Sequence, residues 1–292
     1  MKTFIKYTLL VLTVMILFSC SKEEDLGKMN TTIYVRNDGA DMPIYIRGNV
    51  NSKVIILIVH GGPGGNGLEY RDGLWTVDLE EKYAMAYWDQ RGQGMSQGHY
   101  KKEDVTVARM AEDMVAVVKV LKKKFGNDIS VFAIGHSWGG TLSAKFMTTG
   151  NNQYSLKGWI ESDGAHDLPK NNKESVKMFI DIAEEQIAAG NSVENWEEIL
   201  DWATAIDPKN ITYEQSGEIN QKGSEVEEWL LEDGVLQYPE EGGNKTSPML
   251  GPVNPLTSLL TGNATNSMLE SEVESIALTN ELHKITIPVL VL

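Results

Sequence analysis

Ile129-Ser130-Val131-Phe132-Ala133-Ile134-Gly135-His136-Ser137-Trp138-Gly139 is the stretch on which the reading of this chain turns. An apolar, β-rich run leads into Gly-x-Ser-x-Gly, and a helical segment carrying Leu142 and Phe146 follows. In a strand-turn-helix setting the flanking glycines permit a turn too tight for other residues, and the turn lifts the serine hydroxyl to the carboxyl end of a sheet. The helix that starts beneath it adds partial positive charge where an oxyanion would form. Ser137 is therefore the candidate nucleophile.

Two glycine-rich loops precede it, each directly after a predicted strand. His60-Gly61-Gly62-Pro63-Gly64-Gly65 follows Val54 to Val59, a continuously apolar, β-branched run that predicts a strand buried on both faces. Backbone here can approach a reacting carbonyl closely, so the N–H groups of Gly62 and Trp138 are the expected oxyanion donors. Phosphate cradling is the weaker alternative, because no Gly-Lys-Ser/Thr follows. The second loop, Trp88-Asp89-Gln90-Arg91-Gly92-Gln93-Gly94-Met95-Ser96, reads as architectural, with Asp89 and Arg91 expected to satisfy loop amides and each other. His60 and His136 are expected to position backbone, and Ser96 lacks an elbow.

Working outward, residues 32 to 36 and 42 to 47 flank Asn37-Asp38-Gly39 and predict a hairpin. Further buried runs occur at 83 to 88, 157 to 160 and 285 to 292. Between them Val107, Met110, Ala111, Met114, Val117, Val118, Leu121 and Phe125 form one helical stripe that stops at Gly126. Strand and helix alternate, so the expected class is α/β, a doubly wound and mostly parallel sheet. From about Pro169 to about Asn280 the alternation gives way to helices with Trp196, Trp202 and Trp229 on apolar faces, an inserted cap. The expected organisation is a signal peptide over 1–19, a tether over 20–30, a core over 31–168, the cap over 169–280 and a returning core strand over 281–292.

With 292 residues and 41 % hydrophobic composition, the chain suits one large domain with an insertion. Its formal charge of -15 argues against nucleic acid or an anionic membrane surface as a partner, and favours neutral or cationic substrates. Lys2 and Lys6 precede an apolar run from Tyr7 to Phe18, which is too short for the roughly twenty residues of a bilayer span and reads as an export signal. Cys20, the single cysteine, sits where a bacterial lipoprotein receives its lipid. The expectation is a lipid-anchored protein of the cell envelope, with the acidic Ser21-Lys22-Glu23-Glu24-Asp25 as tether. Scattered histidines give no metal site, and no cofactor is implied.

Taken together, the three loop motifs, in this order and spacing, resemble the proline iminopeptidase branch of the α/β-hydrolases over residues 31 to 165. The resemblance implies strand order 1-2-4-3-5-6-7-8, a helical cap, Ser137 as nucleophile, and oxyanion donors at Gly62 and Trp138. It also implies release of an amino-terminal residue, often proline, from short peptides, with cap carboxylates holding the substrate ammonium. Glu161 and Asp163 are the first candidates for that role, followed by Glu197, Glu198, Glu227 and Glu228.

The family's catalytic aspartate follows its seventh strand and its histidine the eighth, whereas Ile285 to Leu292 resembles that seventh strand. The chain is thus expected to be truncated, to lack the last strand and helix, and to be inactive as it stands. Asp163 with His166 is the fallback pair. His283 and His99 read as surface residues. Two alternatives stay open: an esterase, lactonase or amidase of the same fold, and a non-catalytic lipoprotein whose cap binds a ligand.

Overall fold

A computed structural model describes residues 28–72, 74–237, 269 and 272–292. The export signal, Cys20 and most of the tether lie outside the described residues. Strands β1 (Met29–Asn37) and β2 (Ala40–Gly48) form the expected hairpin, turning on Asp38 and Gly39, both at positive φ. Strands β3 (Val54–Val59), β4 (Ala84–Trp88), β6 (Ser130–His136), β7 (Gly158–Ser162) and β8 (Val289–Val291) follow, with a two-residue β5 (Gln97–Gly98) beside β2. The order is β1-β2-β4-β3-β6-β7-β8. With the short β5 set aside, this is the expected 1-2-4-3 crossing followed by consecutive strands. All contacts from β4 through β8 are parallel.

The parallel strands are apolar because helices cover both faces. On one side α2 (Val107–Phe125) buries its predicted stripe; Thr106 caps its start by accepting from the Arg109 N–H, and Gly126 ends it at φ 107°. Beside it runs α3 (Trp138–Thr148), with Leu142, Ala144, Phe146 and Met147 fully buried. The shorter α1 (Leu74–Lys82) lies on the opposite face.

The insertion has a core of its own. Helix α4 (Leu168–Ala189) packs Val176, Phe179 and Ala183 against Trp196, Ile199 and Ala203 of α5 (Val193–Thr204), and against Ile219 and Val226 of α6 (Tyr213–Glu232). Trp196 is fully buried, and its indole N–H donates to Asp233. Each such large side chain removed from water contributes about 1.5–3 kcal/mol to this second core. The two ends of the insertion meet: the Leu168 N–H donates to the Ile276 carbonyl, the Leu278 N–H donates to the His166 carbonyl, and Asp167 and Ala277 bridge between them. Leu269 and Leu278 pack back into the main core.

Two expectations are corrected. The strand predicted over 285 to 292 is only three residues long and exposed. Pro288 has no N–H for a ladder, and Gln153 takes up Lys284 and Thr286 upstream of it. Second, Arg91 does not pair with Asp89. Its guanidinium makes two bonds of 2.7 Å to Asp113 on α2, with both side chains fully buried, and reaches the Asn37 and Asp38 carbonyls of the hairpin turn.

Candidate active site

Ser137 stands between β6 and α3 at φ 53° and ψ -120°, a conformation that costs a non-glycine residue about 1–3 kcal/mol. Close packing enforces it. A Cβ on Gly135 would lie 2.6 Å from both the Gly139 carbonyl oxygen and Ser143 Oγ, and one on Gly139 would run into the Val59 carbonyl. Hydrogen bonds fix the turn: the Ser137 N–H donates to the Ser162 carbonyl at 3.1 Å, and the Ser137 carbonyl accepts from Gly140, Thr141 and Ala165.

The elbow and the first glycine loop converge on one cleft of about 550 Å³ under the cap. Gly62, Pro63, Ser137 and Trp138 line its floor, so the sequence-predicted nucleophile and both predicted oxyanion donors share a wall. Trp138 opens α3, and the N–H of a first helical residue has no carbonyl one turn back to bond. That leaves it free to receive charge.

Two side chains brace this wall. Gln90, fully buried, donates from Nε2 to the His60 carbonyl and accepts at Oε1 from the Trp138 indole N–H, both at 2.9 Å. Tyr70 accepts from the Gly61 N–H at 2.8 Å, and its hydroxyl meets His136 Nδ1 at 2.7 Å. Each brace ties the residues before Gly62 to those beside Ser137. Burial drives the pKa of His60 down to about 4, so its ring is neutral. The bonds then require Nδ1–H to donate to the Gly61 carbonyl while Nε2 accepts from the Gln90 N–H. As expected, His60 positions backbone; His136 acts on it only through Tyr70, whose hydroxyl accepts from the Gly61 N–H. Asp89 anchors the next layer by accepting from the N–H groups of Gly67 and Met95 and from the Tyr45 hydroxyl.

The predicted carboxylates separate. Asp163 lines the cleft at φ 48°, but Glu161 is buried beneath it and holds His166 Nδ1 at 2.5 Å. That bond raises the pKa of His166 above its ordinary value, with burial opposing. Glu197, Glu198, Glu227 and Glu228 lie on exposed cap faces away from the cleft. Glu274 lines it instead; it comes from the returning segment, and only the stapling of the insertion's ends brings it there. Sequence spacing carried no signal for that. All five histidines lie among the described residues, and none lines the cleft. No lysine or arginine lines it among the described residues either.

Residues 51–205 match the profile of the serine aminopeptidase S33 family. The proline iminopeptidase of Thermoplasma volcanium is 30 % identical over 164 residues, which is 56 % of this chain and 51 % of that protein. The proline iminopeptidase of Lacticaseibacillus rhamnosus is 26 % identical over 243 residues, 80 % of this chain and 71 % of that one. Among solved structures, a proline iminopeptidase-related protein from Thermus thermophilus aligns over 90 % of this chain and 89 % of its own, at 20 % identity and a TM-score of 0.45. Potato epoxide hydrolase I aligns over 46 % and 40 %, at 21 % identity and a TM-score of 0.39. The chain spans about half the length of the first of these curated relatives. The profile covers more than half of the chain, and the sheet order and the strained serine turn agree with it: this α/β-hydrolase chain belongs to the serine aminopeptidase S33 family.

Proposed function

We propose that Ser137 is the nucleophile of an aminopeptidase that releases amino-terminal residues, proline in type, from short peptides. The observation that carries this reading is a strained serine at a helix start, sharing one cleft with Gly62 and, among the described residues, with two carboxylates and no cationic side chain. Attack by Ser137 Oγ on the scissile carbonyl places the developing oxyanion against the N–H groups of Gly62 and Trp138. Asp163 and Glu274 suit a substrate ammonium, because they are the charged side chains of the lining among the described residues and both attract a positive group. The neutral side chains of Asn171, Asn172, Ser175 and Ser216 complete a lining able to hold peptide groups.

Serine chemistry needs a base within hydrogen-bond reach of the hydroxyl. His136 is engaged with Tyr70 and His166 with Glu161, and neither ring lines the cleft. We infer that none of the five histidines serves Ser137 as base, and expect residues 1–292 alone to turn over substrate several orders of magnitude more slowly than a form that carries the aspartate and histidine the family resemblance implies. The test compares this chain with a form extended by the downstream reading frame, using a proline anilide, its N-acetylated analogue and a serine-directed fluorophosphonate. The extended form should cleave only the free amine and lose both labelling and turnover in Ser137→Ala. Equal cleavage of the acetylated substrate would refute amine recognition. Turnover by the short chain at the long form's rate would refute the exclusion of the five histidines.

A further inference from the structure

We propose that the amino edge of the sheet, opposite Ser137, is a docking surface for an anionic lipid bilayer. The net charge of -15 conceals a segregation. The cap carries an excess of acidic residues at the carboxyl edge, whereas the amino edge is basic. Helix α2 runs down to that edge and ends in Lys122, Lys123 and Lys124; Lys119, Lys122 and Lys123, with Gly126 and Asn127, rim a shallow hollow of about 430 Å³. Lys53 precedes β3 and Lys157 precedes β7 at the same level, where the Ser130 N–H bonds the Lys53 carbonyl and the Lys157 N–H bonds the Val131 carbonyl. Lys119, Lys122, Lys123, Lys124 and Lys157 have no carboxylate partner among the described residues. The acids at this edge include Asp128, paired with Lys53, Glu281, paired with Lys284, Glu80, paired with Arg71, and Glu81 at the end of α1. Tyr154, in the turn that precedes Lys157 and β7, is 62 % exposed, and an aromatic with a polar tip suits the headgroup layer.

The occupant follows from where the chain begins. Met29 pairs with Gly48, and Gly48 pairs with Ala84 at the start of β4, so the described chain starts at this same edge. Upstream lie the apolar run Tyr7 to Phe18 and Cys20, the parts of the sequence suited to a membrane. Eight residues lie between Cys20 and Met29, and the nine steps from one to the other reach about 30 Å when extended. A membrane-held upstream segment would therefore present the lysine face to the bilayer. Glu23, Glu24 and Asp25 on the tether oppose the attraction, but they are flanked by Lys22 and Lys28 and are outnumbered by the lysines of the edge. Docked this way, the Ser137 cleft at the other end of the strands opens away from the bilayer, toward soluble substrate. The expectation that an anionic surface is a poor partner treated the charge as uniform; a surface feels only what lies within about a Debye length.

The test uses the full chain with Cys20→Ser, which cannot be lipidated, and co-sedimentation with vesicles of phosphatidylcholine alone or with phosphatidylglycerol at three parts in ten. Partition should favour the anionic vesicles by about tenfold or more, collapse as salt rises, and fall by a similar factor when Lys119, Lys122, Lys123 and Lys124 are changed to Glu. The milder Lys→Gln set guards against loss of folding, since acids at a helix end are unfavourable, and Lys177→Gln on the cap should have no effect. Equal partition to both vesicle types would overturn the proposal, as would unchanged anionic binding in the Lys→Gln set. So would tighter binding to a short DNA duplex than to vesicles, or self-association without vesicles that the Lys→Gln set abolishes.

Discussion

Replacing Gln90 with leucine tests whether the Asp89-Gln90-Arg91 loop braces the site or merely borders it. Leucine is close to glutamine in size, so the fully buried site loses little volume. What it loses is bonding: the Trp138 indole N–H and the His60 carbonyl, both deeply buried, are left without their partner. A buried polar group stripped of its bond costs about 1–3 kcal/mol, so the two together cost about 2–6 kcal/mol. The new apolar side chain gives back about 1–2 kcal/mol, because an amide no longer needs to be desolvated. The expected net loss spans about 0–5 kcal/mol and centres near 2.5 kcal/mol, read as a lower urea midpoint at unchanged slope. Gln90→Glu provides the second arm: it keeps an acceptor for Trp138, loses the donor to His60, and buries a charge, so it should be at least as damaging as leucine at neutral pH and recover toward acid. An unchanged urea midpoint for Gln90→Leu would show that neighbouring groups satisfy Trp138 and His60 without it, and the brace would be refuted.

Burial comes first among the causes that push the Asp89 pKa up to about 6, outweighing the bonds from Met95, Gly67 and Tyr45. A carboxyl raised in the fold contributes stability that is full below its unfolded pKa near 4 and lost as pH rises through 6. Between those values wild type should lose on the order of 3 kcal/mol relative to Asp89→Asn, which does not titrate; identical pH slopes for the two in urea unfolding would contradict the burial argument. Gly139→Ala should destabilise by more than about 3 kcal/mol or prevent folding, because the new methyl meets the backbone carbonyl of Val59 rather than a movable side chain; a soluble variant with a melting temperature within a few degrees of wild type would refute the close approach.

Much of the fold was legible because its causes are local. The β-branched run at Val54 to Val59 can be satisfied only between two strands, and the α2 stripe carries its own stop at Gly126. The elbow was legible because only glycine allows β6 and α3 to touch the backbone of β3. What escaped depends on distance along the chain. Arg91 meets Asp113, twenty-two residues on, because α2 crosses under the loop, and no motif records that crossing. Glu274 reaches the cleft because the chain returns from a long insertion. Glu161 looked like a ligand for substrate by its nearness to the sheet edge, but it lies within β7, buried, and its carboxylate turns to His166.

The meeting of His166, Asp167 and Leu168 with Ile276, Ala277 and Leu278 sets how this architecture can change. Because departure and return lie within hydrogen-bond distance of each other, the sheet experiences the whole cap as a short turn, whatever its length. On the near side, Ala165 is held by the Ser137 carbonyl and by the Thr141 hydroxyl, so displacement of the cap is stopped before it reaches the elbow. Insertions, deletions or wholesale exchange of α4 to α6 can therefore redraw the cleft's upper wall while the serine keeps its geometry. The nucleophile and the specificity surface evolve as separate modules joined at one clasp.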